Sequence, residues 1–303
     1  MQRLGRRFVN NLNKRALGAC AMSFMAALLL AGCAGVRAPV TPPPPAPATA
    51  GLDAGDVFSR EGVEGVFVLR DEATGCVRTT DAVLADQGFS PQSTFKVPHA
   101  LIGLETGVIA GEHHLWRWDG TPRRLRVWEQ DLDLAGALRL SCVPCFQDVA
   151  RRIGRDRMGR YLRDFGYGNQ DISGPMDQFW LKGRLRISPR GQVAFLHRML
   201  AGDLPVKRSR VALIWRLLER ESGPGFTFRG KSGLGLQDGR AVGWLVGYVE
   251  RAGHRWIYAT LVLGRVDADG NEEMRRLMPL REKITRALLR RARVLAEPGD
   301  GRQ

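Results

Sequence analysis

The 303 residues, 44% of them apolar, are enough for one sizeable globular domain and exclude a disordered or fibrous chain. The formal charge of +15 is spread mostly as single arginines, with no compact run beyond Arg290-Arg291-Ala292-Arg293, so it reads as a solvated basic surface and predicts no nucleic-acid site. There is no His-Glu-x-x-His motif and no Cys/His cluster at zinc spacing, and His113-His114 reads as a loop pair, so no metal is expected.

Residues 1–33 read as an export signal. Arg3, Arg6, Arg7, Lys14 and Arg15 form a basic start without acidic residues, and the apolar stretch that follows is short for a membrane span. It ends in Leu30-Ala31-Gly32-Cys33, which resembles the bacterial lipobox and implies a lipid on the Cys33 thiol and export to the periplasmic face of a membrane. Ala34, where inner-membrane lipoproteins carry Asp, points by the same resemblance to the outer membrane. Residues 34–55 include Pro42-Pro43-Pro44-Pro45, which favours an extended polyproline conformation and cannot build a core, and they read as a linker.

The folded domain is expected over 56–303. It opens with a strand at 65–70, rich in β-branched and aromatic residues. Apolar residues at three- and four-residue spacing then predict helices over 93–106, 131–140, 146–165, 188–200 and 207–221. Strands at 226–231, 242–250 and 256–263 follow, joined by short Gly-containing turns, before a basic helix over 274–295. Short connections imply antiparallel pairing. A sheet drawn from both chain ends with helices between them is an α+β fold.

Chemistry concentrates in a few short segments. Ser93-Thr94-Phe95-Lys96 opens a helix, which puts a hydroxyl and an amine one turn apart on one face, near amides and a dipole that favour developing negative charge. Downstream, in order, come Ser141-Cys142-Val143, Tyr167-Gly168-Asn169, Trp180-Leu181, Lys231-Ser232-Gly233 and Gly243-Trp244. On these motifs the chain resembles the class D β-lactamases over nearly all of the domain. The resemblance implies the β-lactamase/penicillin-binding transpeptidase-like fold, with an antiparallel sheet flanked by helices and a mainly helical insertion.

It also implies roles. Ser93 is acylated by a β-lactam substrate, and Lys96, carbamylated by CO2 from bicarbonate, acts as general base. Trp180 hydrogen-bonds the carbamate, Ser141 relays a proton to the leaving nitrogen, and Lys231 sets the field beside the substrate carboxylate. Arg281 grips that carboxylate, and the amides of Ser93 and Leu234 form the oxyanion hole. Val143, Leu181, Ser232 and Gly233 line the substrate site, Tyr167 and Asn169 form a structural turn, and no cofactor beyond CO2 is needed. A penicillin-binding receptor without turnover and a D,D-peptidase share much of the pattern and remain as alternatives.

Two further patterns have their own readings. Gly225 to Ser232 satisfies the phosphate-loop pattern, but Phe226-Thr227-Phe228-Arg229 alternates like a strand and no helix follows, so nucleotide binding is not expected. Cys142 and Cys145 stand three apart at a helix start beside Pro144, a spacing that suits a disulfide in an oxidising compartment. Two buried thiols, or a redox pair without its usual βαβ setting, are the other readings of that spacing.

Overall fold

A computed structural model of the chain describes residues 49–266 and 271–296. The export signal, the lipobox Cys33 and the proline run lie outside the described residues. Seven strands form one sheet in the order β1-β3-β2-β7-β6-β5-β4: β1 (Thr49–Gly51), β2 (Glu64–Asp71), β3 (Val77–Thr79), β4 (Glu219–Gly223), β5 (Phe226–Gln237), β6 (Arg240–Arg251) and β7 (His254–Arg265). Every pairing is antiparallel except β1 with β3. The helices are α1 (Val57–Arg60), α2 (Ala82–Asp86), α3 (Lys96–Glu105), α4 (Leu134–Arg139), α5 (Val143–Ile153), α6 (Arg155–Phe165), α7 (Pro189–Ala201), α8 (Arg208–Leu217) and α9 (Asn271–Arg291).

The early strand and the late ones meet as neighbours, with Val68 opposite Ala259 and Gly65 opposite Val262, so the two ends of the domain close on one sheet. Alternation along β2 divides its side chains between two cores. Val66 and Val68 face the helical insertion and pack in one cluster with Phe95, Leu101, Phe146 and Trp244, while Phe67 and Leu69 face α9 and join Leu245, Tyr258, Leu277, Ile284 and Leu288. Being covered on both faces is why β6 is buried along nearly its whole length.

Several boundaries differ from the sequence reading. Thr49–Gly51, read as linker, forms the edge strand β1, and Leu52 behind it is buried, so the fold begins before residue 56. The helix read at 146–165 is two helices, because Gly154 takes φ 79, a conformation that breaks the helix and that glycine adopts without steric cost. The helix read at 207–221 stops at Leu217, and Glu219–Gly223 turns back as an edge strand with every residue exposed. Arg208–Leu217 keeps its apolar face, but the charged tail beyond it is free to pair with β5.

Candidate functional site

Ser93 lies in a single 3-10 turn, Gln92–Phe95, that runs directly into α3. In such a turn positions three apart eclipse, and Lys96 Nζ lies 2.9 Å from Ser93 Oγ. Lys96 is fully buried among apolar side chains, including the Phe146 ring 5.5 Å from its nitrogen. Burial disfavours the cation and lowers the amine from its usual range to about 7.

Ser141 sits between α4 and α5 with φ 54, in the left-handed region that non-glycine residues seldom enter. It is followed at once by the disulfide Cys142–Cys145, whose Cα atoms are 5.5 Å apart and which closes the first turn of α5. Cys142 Sγ also accepts the Cys145 amide at 3.2 Å, doing the work of a helix cap. Val143 opens the helix, half-buried.

Lys231 lies on β5 and donates to Ser141 Oγ and to the Ser232 carbonyl, both at 2.9 Å. Its amine is held well below its ordinary range, first by burial and then by the positive charges of Lys96, Arg281 and Arg220. Arg281, at the middle of α9, donates from one guanidinium nitrogen to the Gly233 carbonyl at 2.7 Å. Burial lowers its guanidinium to about 10. β5 passes close to the nucleophile turn here: a Cβ at Gly233 would come within 3.0 Å of the Pro91 carbonyl. The backbone of Ser232, Gly233 and Leu234 therefore runs beside the Ser93 turn, while the Leu234 side chain packs with the cluster on the α9 side of the sheet.

Trp180 is wholly buried between α6 and α7, stacked on Phe95 at 5.8 Å, and its indole N–H has no partner among the described residues. Leu181 follows it, half-buried. Tyr167 packs edge-on to Phe95, and Asn169 bridges to the backbone of Arg184 and Arg186, which makes their turn a support for the loop bearing Trp180. The phosphate-loop look-alike, Gly225 to Ser232, runs along β5 as strand and opens no helix.

The structure thus brings Ser93, Lys96, Ser141, Trp180, Lys231 and Arg281 to one cleft. It adds groups that the sequence reading passed over. His99, one turn past Lys96, is buried against Phe95, Phe146 and Trp180, with neither ring nitrogen partnered among the described residues. Burial, and then the charge of Lys96, lowers its imidazole to about 3, so it is neutral at any working pH. Its spacing three residues after Lys96 was the available signal. Gln92 and Gln192 were equally missed; Gln192 donates to Thr94 Oγ1 at 2.8 Å behind the nucleophile turn.

The family described as penicillin binding protein transpeptidase domain matches residues 65–277. The chain is 41% identical over 230 residues to β-lactamase OXA-10 of Pseudomonas aeruginosa, covering 75% of this chain and 84% of that one. To β-lactamase OXA-48 of Klebsiella pneumoniae it is 34% identical over 238 residues, covering 78% and 87%. This chain belongs to the class D β-lactamases. Solved structures agree: the class D β-lactamase YbXI from Nostoc superposes with a TM-score of 0.74 at 32% identity, over 80% of this chain and all of that one. The class D β-lactamase BAT-2 gives 0.71 at 35% identity, over 80% and 97%. As a class D β-lactamase the chain is a serine enzyme, and its buried pair of lysines, one beside each serine, is the electrostatic core of the site.

Proposed function

We propose that the enzyme hydrolyses the β-lactam amide of penicillins and related antibiotics through an acyl-enzyme on Ser93, with the Lys96 side chain as general base, and so confers resistance. The observation that carries this reading is the 2.9 Å contact between Lys96 Nζ and Ser93 Oγ, combined with burial that leaves the amine able to be neutral near pH 7.

Ser93 Oγ attacks the lactam carbonyl as its proton moves to the Lys96 side chain. The developing oxyanion is taken by the amides of Ser93 and Leu234, which belong to the nucleophile turn and to the strand that passes it. Ser141 Oγ gives its proton to the departing lactam nitrogen and recovers one from Lys231 Nζ, which already donates to it. The lowered proton affinity of Lys231 favours that transfer. Arg281 and Lys231 hold the substrate carboxylate by charge. The proton taken up by the Lys96 side chain returns to Lys231 Nζ, which frees the base; water then cleaves the ester as the Lys96 side chain takes its proton and passes it to the departing Ser93 Oγ.

A neutral, buried amine is the form that reacts with carbon dioxide, and the indole N–H of Trp180, stacked on Phe95 and without a partner among the described residues, is a donor. These groups fit a carbamate on Lys96: Trp180 would hold it, and it would supply an anionic oxygen as the base at neutral pH. We propose in addition that export and a lipid on Cys33 place the enzyme at the periplasmic face of the outer membrane. Palmitate labelling that Cys33→Ser abolishes would support this, and labelling that persists would refute it.

Steady-state hydrolysis of a chromogenic cephalosporin, with intact-protein mass spectra of the acylated species, tests the central reading. Many turnovers, and loss of the adduct in Ser93→Ala, are expected. Stoichiometric acylation without release would replace the hydrolase by a penicillin receptor or a D,D-peptidase.

A further inference from the structure

The turn before the nucleophile is unusual in this chain. Gln92 has φ 51, so a bulky residue occupies the left-handed region immediately before Ser93, and its side chain is buried although polar. That amide is satisfied. Gln92 Nε2 donates to Ser90 Oγ at 3.0 Å and to the Leu181 carbonyl at 2.9 Å, while the Gln92 backbone N–H donates to the Trp180 carbonyl at 3.1 Å. Ser90 Oγ lies 3.0 and 3.1 Å from those same two carbonyls and gives its one proton to that pair.

The segment bearing Trp180 satisfies its amides within itself: Leu181, Lys182 and Gly183 all donate to the Gln178 carbonyl, and Leu185 donates to that of Phe179. Its outward acceptors at Trp180 and Leu181 are those that Gln92 and Ser90 take. The other side of the turn is fixed to the sheet. Gln237 Oε1 accepts the Ser90 amide at 2.6 Å, Trp244 Nε1 donates to the Ser90 carbonyl at 2.9 Å, and a Cβ at Gly235 would overlap the Gln92 amide.

We propose that Gln92 is a positioning residue: its amide and its left-handed backbone clamp the Trp180–Leu181 segment to the nucleophile turn, and thereby keep the Trp180 indole in the buried space around Lys96. A strained conformation persists when the surroundings over-determine it, and here two bonds from Gln92 to one loop and a third to Ser90 do so. The consequence for catalysis rests on the reading of Lys96 given above. With the clamp loosened, Trp180 no longer stays where it can hold a group on Lys96, and the base becomes harder to maintain.

Gln92→Met keeps the length and loses the hydrogen bonds, and Gly235→Ala keeps Gln92 but pushes its amide out of place. Hydrogen exchange on the full chain should rise in peptides covering 178–185 in both variants. The bicarbonate concentration giving half-maximal kcat should rise roughly tenfold, a loss of the size expected when buried hydrogen bonds go unmade, with kcat restored at saturating bicarbonate. A merely structural role would lower kcat alike at every bicarbonate concentration. That result in a bicarbonate-responsive wild type, or unchanged exchange in both variants, overturns the proposal. If the wild type ignores bicarbonate while both variants show faster exchange and lower kcat, the carbamate reading fails alone and the clamp stands.

Discussion

Ser141 and Lys231, ninety residues apart in sequence, meet at 2.9 Å, and each is held by something other than the pair itself. Lys231 is fixed by its place on β5 and by its second bond to the Ser232 carbonyl, Ser141 by a left-handed backbone beside a disulfide. The pair is therefore set up before substrate arrives. Ser141→Ala should lower the acylation rate by about two to four orders of magnitude, the usual size of a positioned proton-transfer group. Stopped-flow measurement of acylation, separated from deacylation, checks this; an unchanged acylation rate would remove Ser141 from the proton path.

The free amine of Lys96 should leave two signatures with opposite practical meaning. Held at about 7, it gains a proton below that pH and can no longer accept one from Ser93, so in bicarbonate-depleted buffer kcat/KM should fall steeply below about 7. The folded value lies below the unfolded one, so between about 7 and about 10.4 the unfolded chain binds more protons and stability rises with pH. Lys96→Met should abolish turnover, remove that slope and stabilise the fold near neutral pH, each pKa unit being worth about 1.4 kcal/mol. Melting curves across pH for both proteins test it. A variant that melts lower than the wild type at neutral pH would show that burying this amine is no burden.

Much of this site was readable from sequence because it consists of short segments whose chemistry is local: a serine and an amine one turn apart, a strand ending in Lys231-Ser232-Gly233, an aromatic pair in a loop. The missed groups act at long range. Gln92 looks like an ordinary loop residue until the Trp180 segment folds over it, and His99 reads as one more position on a buried helix. Among the elements, β4 was hidden because an exposed edge strand needs no apolar alternation; its hydrogen bonds come from β5. β1 was hidden by the proline-rich stretch in front of it, although Leu52 just behind is core.

Arg281 lies against β5 rather than out on the basic face of α9. Arg281→Ala should raise KM for carboxylate-bearing β-lactams more than it lowers kcat, if the carboxylate is held alike in ground and transition states. Its bond to the Gly233 carbonyl adds a small stability loss of about 1 kcal/mol. Arg281→Lys should recover part of the KM effect but not the forked geometry. Steady-state kinetics on a penicillin and on an analogue without the carboxylate decide the matter: an equal effect on both would mean that Arg281 shapes the strand and does not bind the substrate.

The disulfide Cys142–Cys145 offers the sharpest separation of stability from catalysis. It closes a loop so short that chain entropy assigns it only about 2 kcal/mol, and α5 has other reasons to form, with Pro144 in its first turn and Phe146, Val149 and Ile153 buried along one face. Its neighbour Ser141, by contrast, has an unfavourable backbone conformation, φ 54, that relaxes unless something opposes it. Reduction, or Cys142→Ala with Cys145→Ala, should therefore lower kcat by a larger factor than the small fall in melting temperature suggests. The loss should appear in acylation, because Ser141 would drift from Lys231. Alkylation before and after reduction, read by peptide mass spectrometry, should modify Cys142 and Cys145 only after reduction. A reduced enzyme that melts several degrees lower yet turns over at the original rate would show that the bridge stabilises the helix and leaves Ser141 indifferent to it.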